Sequence, residues 1–366
     1  MIYFLVFLLA LSFAALENTK PFNINSLSCR NRNVFWGAKA LGLLMLLLCA
    51  LRGNDVGTDT LHYYDSFNAG ISRYVEVGYW VIRRIAQWLG NSFQIFIALY
   101  ACVSLLPLYK MLKRESVNIS FSLLIYLSFS NYFFPETFNT IRATASIAMY
   151  LMGLSALMRK EYVAMSWWAI MCVFFHNQGF IIITLTIIVL LFIKKVPKKL
   201  VYILLIISVI FGLSFNSGFS QYADMLSLRM AQFSGDAADY YIRYVARLEE
   251  TKLNLVGTLA NMLPFTLFAV VLYDNHNSQT LYYKLYFIGT LMSNIFISVS
   301  FVYRITMYFS ILLIVILPNT FIRSMKSKRT ILLIMTFLMG IWYIYKLFGS
   351  TSDTMAGIIP YKFFFV

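Results

Sequence analysis

Arg52, Arg142, Arg243, Arg247 and Arg304 each stand at or beside the end of a long apolar run. A guanidinium in that setting either snorkels toward the headgroups or grips an anion, and its planar fork suits phosphate and diphosphate. Arg142 opens a helix-forming stretch, where the macrodipole disfavours a cation, so an anionic partner is expected beside it. Arg243 and Arg247 lie one turn apart in YYIRYVARLEE, and Arg304 directly follows Tyr303.

Groups able to move a proton occupy the same regions. Asp55 and Asp59 fall in Arg52-Gly53-Asn54-Asp55-Val56-Gly57-Thr58-Asp59-Thr60, where Gly53 and Gly57 allow a tight backbone path. Asp59 suits either a helix N-cap or a general base beside a basic pocket. His176, in FFHNQGF, sits between two apolar runs, where a histidine is costly unless it is hydrogen-bonded or functional. Tyr64 and Tyr79, with Tyr63, Tyr74, Tyr240 and Tyr241, offer faces for sugar rings, or else form an interfacial aromatic belt.

Other chemistries are absent from the sequence. There is no Walker A loop, no strand-borne GxGxxG, no His/Cys cluster with zinc spacing and no paired-carboxylate motif for a metal-held nucleotide sugar. No metal or cofactor is expected. An enzyme of this kind must receive a substrate that is already activated, from within the membrane. Cys29, Cys49, Cys102 and Cys172 have no metal spacing and read as packing residues.

The elements that must position these residues are membrane helices. Of 366 residues 60% are apolar and only 12% charged, and mean hydropathy is +0.73. A soluble domain carries about twice that charged fraction. Apolar runs near 1–16, 34–51, 92–109, 117–134, 141–158, 162–175, 178–193, 200–215, 253–273, 282–301, 305–321 and 330–349 predict an all-α polytopic membrane protein of about 12 transmembrane helices in one domain. The segment 162–193, broken at His176-Asn177-Gln178-Gly179, suits two short spans or one span plus a re-entrant piece. The first run lacks a basic n-region and reads as a short span rather than a signal peptide.

The formal net charge of +15 is not a nucleic-acid signature here, because the basic residues sit in short loops. One set of alternate loops holds 16 Lys and Arg against four acids, and the opposite set holds 11 of each. The first set is therefore placed in the cytoplasm, and both termini on the external, periplasmic side. Two long external loops result, 52–91 and 216–252, with nine of the 15 carboxylates. Within the first, 76–90 (EVGYWVIRRIAQWLG) reads as an interfacial amphipathic helix, with Val77, Val81, Ile85, Trp88 and Leu89 on one face.

Taken in order, these motifs resemble one family. Arg52…Gly57-Thr58-Asp59-Thr60…Tyr64 is similar to the R-x-x-x-x-G-T-D-x…Y signature after the second span of EpsG/Wzy-type polysaccharide (O-antigen) polymerases. Glu76-Val77-Gly78-Tyr79 resembles their E-x-G-Y/F element, Asn139-Thr140-Ile141-Arg142-Ala143 their N-x-x-R-Q/A, and Phe175-His176-Asn177 their F-H-x-S, with Asn177 next to the histidine. Arg304 and Pro360-Tyr361 also have counterparts, so the likeness runs from about residue 50 onward.

The resemblance implies a bacterial inner-membrane glycosyltransferase that joins undecaprenyl-diphosphate-linked repeat units into O-antigen or exopolysaccharide at the periplasmic face. Joined to the residue types above, it leads to the hypothesis that Arg52, Arg142, Arg243, Arg247 and Arg304 hold the diphosphate, that Asp59 or His176 is the base with Asp55 a further candidate, and that Tyr64, Glu76, Tyr79 and Tyr303 meet the glycan. Expected partners are the lipid-linked substrates, the bilayer and a membrane protein that regulates chain length; nucleic acid is not among them. The rivals are a flippase or other transporter of the lipid-linked oligosaccharide, and an O-antigen ligase. A flippase should carry charges along a path between both faces, whereas here the mid-span segments are nearly free of charge.

Overall fold

The computed structural model describes residues 1–18, 35–69, 76–129, 133–214, 255–297, 300–349 and 357–365. Arg243, Arg247, Cys29 and all of the loop 216–252 lie outside the described residues, as do Tyr74, Tyr240 and Tyr241. Among the described residues the chain is helical. The helices are α1 (Ile2–Asn18), α2 (Trp36–Ala50), α3 (Thr60–Ala69), α4 (Val77–Trp88), α5 (Phe93–Glu115), α6 (Ile119–Ser128), α7 (Glu136–Asn139), α8 (Ile141–Met158), α9 (Tyr162–Phe175) and α10 (Gln178–Phe192). There follow α11 (198–214), α12 (Leu255–Leu272), α13 (Leu281–Ile295), α14 (Ser300–Ser310), α15 (Leu313–Arg323) and α16 (Lys326–Gly349).

Four described stretches are long and apolar enough to cross a membrane: Phe93–Glu115, Ile141–Met158, Val302–Arg323 and Lys326–Phe348. Shorter apolar helices are Ile2–Glu17, Trp36–Ala50, Ile119–Ser128, Tyr162–Phe175, Gln178–Phe192 and Gly257–Leu272. Their outer surface is apolar as well: Leu190, Leu191 and Phe192 on α10, and Leu333, Phe337 and Ile341 on α16, are all exposed. Such a surface fits a membrane protein and would aggregate in water.

Four of the twelve expected spans thus have full length among the described residues. The run 117–134 yields only the ten-residue α6, which stops at Ser128; beyond it Pro135 disfavours helix in the residue before it and opens the short α7. The run 305–321 lies within the single stretch Val302–Arg323, with a turn at Ile311–Leu312 between α14 and α15.

The chain divides into two compact units, Met1–Ile187 with Leu313–Val366, and Ile188–Leu312. In the first, α8 is the axis: 83% of its apolar window is buried, against 17% for the peripheral α16. Small and hydroxyl residues let α8 approach its neighbours. Ser146 Oγ donates to the Cys172 carbonyl of α9 (2.7 Å), and Ser104 of α5 lies 3.5 Å from Thr144. In the second unit Asn294 Nδ2 reaches both Ser208 Oγ and Thr266 Oγ1 at 3.0 Å, tying α13 to α11 and α12. Lys284 Nζ donates to the Ile193 carbonyl just after α10 (2.8 Å).

At one end of the first unit a buried carboxylate starts a helix. Glu17, 4% exposed, accepts the backbone N–H groups of Ile119 (3.4 Å) and Ser120 (2.8 Å), two donors that α6 cannot satisfy internally. Glu17→Ala leaves these two buried donors without their acceptor and should cost about 1–3 kcal/mol, while the N-cap Asn118 keeps its own bond to the Phe121 N–H. The check is the thermal midpoint in detergent, which should fall while helix content by circular dichroism stays near that of the parent.

Candidate functional site

The opposite end of the first unit gathers the motif residues. Everything there hangs on six residues, Thr137 to Arg142, which close α7 and open α8.

On one side of this segment lies the loop after α2. Gly57 has φ +102°, a conformation that L side chains rarely adopt, and a Cβ there would meet Asn139 Oδ1 at 2.9 Å. Asn139 Oδ1 in turn accepts from Thr58 Oγ1 (3.1 Å) and the Asp59 N–H (3.4 Å). The glycine is thus needed for both backbone hand and close approach.

The outer side of the same loop is clasped by residues 357–365. Gly53 N–H donates to the Lys362 carbonyl (2.8 Å), Gly57 N–H to the Gly357 carbonyl (2.9 Å), and Phe364 N–H to the Leu51 carbonyl (3.1 Å). Arg52 and Phe363 form an antiparallel bridge, Tyr361 donates to the Leu48 carbonyl (2.9 Å), and Lys362 pairs with Asp55 at 2.5 Å.

Backbone held from both sides directs the Arg52 side chain inward. It is 1% exposed, lies 5.0 Å over the Phe138 ring and donates one bond, 3.4 Å long, to the Thr137 carbonyl. Its Nε and Nη2 have no hydrogen-bond partner, and no carboxylate pairs with it among the described residues. Burial pushes this guanidinium down to about 10, partly offset by Cys49, Tyr3, Tyr63 and Tyr361, so it is a cation at neutral pH. A desolvated cation with two idle donors is a site for an anion.

On the other side of the six-residue segment, Arg142 forms an ion pair with Glu76, and the second oxygen of Glu76 lies 2.9 Å from His176 Nδ1. Glu76 is 7% exposed and His176 8%. Glu76 stands at the N-cap of α4 and His176 at the C-cap of α9, so two helix ends must nearly touch. Gly78 makes that possible: a Cβ there would sit 2.7 Å from the Phe175 ring and 2.8 Å from the Phe174 carbonyl. Burial raises the Glu76 carboxyl, but the His176 hydrogen bond and the Arg142 charge outweigh it and hold the group at about 2. His176 Nε2 is buried and without a partner, as is Gln178 Oε1 two residues on.

The remaining expected residues are dispersed. Asp55 is half exposed, and its hydrogen bond from Lys362 lowers it. Asp59 is half-buried at the entry to α3. Tyr64 is exposed, its ring edge-on to Phe93 at 5.2 Å, whereas Tyr79 is fully buried and donates to Ser66 Oγ (2.9 Å). Tyr303 and Arg304 are half-buried in the second unit. No group of three or more metal-ligating side chains occurs among the described residues.

The sequence indicated that Arg142 needs an anion but not which one. Glu76 could have been found as an acid paired with a glycine two residues on, a spacing that lets a carboxylate approach another helix end. Tyr361 was marked only by the family resemblance of Pro360-Tyr361, and Lys362 carries no mark.

Two outcomes follow. Gly78→Ala should overpack the α4–α9 junction, at about 1–3 kcal/mol, read as a lower thermal midpoint in detergent. The depressed Glu76 group stabilises the fold above the unfolded carboxyl value and loses that contribution as pH falls from about 4.5 toward 2. An acid titration of the folded fraction should therefore show a component in that window that Glu76→Gln removes.

A family model described as the EpsG family matches residues 39–363 of the chain. No curated protein and no solved structure matches it.

Proposed function

Because the chain belongs to the EpsG family, a Wzy-type polymerase-like family, we propose that it joins undecaprenyl-diphosphate-linked oligosaccharide repeat units into O-antigen or exopolysaccharide at the periplasmic face of the bacterial inner membrane. The observation that carries this reading is the segment Thr137–Arg142, which holds a buried Arg52 with two unpaired guanidinium nitrogens on one side and the Glu76–His176 pair on the other. A cation for a leaving diphosphate and a base for an attacking hydroxyl are what glycosyl transfer from a prenyl-diphosphate donor requires.

In this reading the anomeric carbon–oxygen bond of the donor breaks and its electron pair passes to the diphosphate, beside Arg52. The acceptor sugar hydroxyl forms the new glycosidic bond and gives its proton to His176 Nε2, with Asp59 the other candidate base. Both substrates are lipid-anchored, so the bilayer confines them to one plane and raises their encounter. Arg243, Arg247 and Arg304 are further candidates for the diphosphate, Asp55 for the proton transfer, and Tyr64 and Tyr303 for the glycan. A membrane protein that regulates chain length is a fitting partner.

Arg52→Met should lower polymerisation at least about 10²-fold, the usual loss on removing a donor aimed at developing negative charge. His176→Gln and Asp59→Asn, made separately, identify the base as the one whose loss is comparably large. The assay is the glycan ladder on a gel. A strain without a working polymerase caps its lipid acceptor with a single repeat unit, and that is the pattern expected for Arg52→Met. Bare acceptor with accumulated polymer would indicate a ligase instead, and bare acceptor without polymer a flippase.

A further inference from the structure

We propose that Glu76 is a positioning residue: it fixes the proton of His176 on Nδ1, so that Nε2 is left as the proton acceptor, and Arg142 acts through Glu76 rather than on the diphosphate. The inference rests on the polymerase reading above and assigns the residues of that same site.

The geometry leaves Glu76 little else to do. One oxygen is engaged by Arg142 and the other by His176 Nδ1, and the side chain is 7% exposed, so neither oxygen is presented to a glycan. A carboxylate only accepts, so the nitrogen 2.9 Å from it must donate, and the neutral ring then carries its lone pair on Nε2. That nitrogen is buried without a partner inside the protein, as an atom awaiting a substrate hydroxyl would be. The same carboxylate–imidazole arrangement orients histidine bases on unrelated folds, where an amide in place of the carboxylate stabilises the wrong tautomer.

The two arginines differ for the same reason. Arg52 is buried with idle donors and, among the described residues, no carboxylate partner, which leaves its charge for a ligand. Arg142 spends its charge on Glu76 and keeps that carboxylate ionised in a place where burial alone would favour the neutral form. Gly78 is a third member of the device, because only a residue without a Cβ brings the N-cap of α4 against the C-cap of α9.

The test uses the full-length protein in lipid nanodiscs, with lipid-linked repeat units as substrate and 15N-labelled histidine as probe. The wild-type His176 ring should show the Nδ1–H signature. Glu76→Gln should lose that preference and lower kcat about 10²–10⁴-fold with KM for the donor within about threefold of the parent. Glu76→Asp, which keeps a carboxylate, should recover part of both.

Arg142→Gln placed on Glu76→Gln should add less than about threefold to the loss, since two residues acting as one unit are not additive. A wild-type ring protonated on Nε2 would overturn the assignment of Glu76, even where every variant folds poorly. A double variant whose losses multiply, with a raised donor KM, would overturn the assignment of Arg142 and return it to the diphosphate. The ring signature is read without turnover, so a wild-type protein that polymerises nothing would overturn the polymerase reading and leave the tautomer result standing.

Discussion

A carboxylate withdrawn from water must be compensated on every side, and in this chain one such group organises a whole end of the molecule. Glu76 is held between an arginine and a histidine drawn from two other helices. Three helix ends, the starts of α4 and α8 and the finish of α9, are thereby fixed relative to one another. Remove the compensation and the acid would take up a proton; keep it, and the imidazole is oriented at no further cost. Charge balance and ring orientation are one arrangement here.

The loop bearing Arg52 is built on the opposite plan. Among the described residues no carboxylate compensates its cation; backbone hydrogen bonds, Gly57 in its left-handed conformation and the Asn139 amide hold the loop instead. Backbone rigidity replaces electrostatic compensation, and this is what allows a charge to stay buried yet uncommitted. Both plans meet on one six-residue segment, so a shift at Thr137 and a shift at Arg142 cannot be independent.

Much of the helical framework was legible as runs of apolar residues, because each run long enough to span a bilayer must satisfy its own backbone. The clearest exception, α6, is a place where hydropathy continues past Ser128 but the helix does not, and hydropathy carries no record of a turn. The candidate site was legible by residue type and not by partner. Helix-dipole reasoning demanded an anion for Arg142, but the choice of Glu76, 66 residues away, depends on tertiary packing. The stripe Val77, Val81, Ile85 and Trp88 is on the exposed side of α4, as an amphipathic reading places it, while Arg83 of the other face is buried and donates to the Phe67 carbonyl. Much of the clasp on the Arg52 loop was invisible for a simple reason: three of its bonds run backbone to backbone, and many side-chain patterns are compatible with those.

That clasp also carries a temporal implication. Arg52 leaves the ribosome early, and its bridge partner Phe363 is more than three hundred residues later in the chain. Throughout synthesis and insertion the anion-seeking side chain therefore lacks half of what holds it. The clasp can close only once residues 357–365 have been made, so until then the Asn139 bonds hold the loop from its inner side alone.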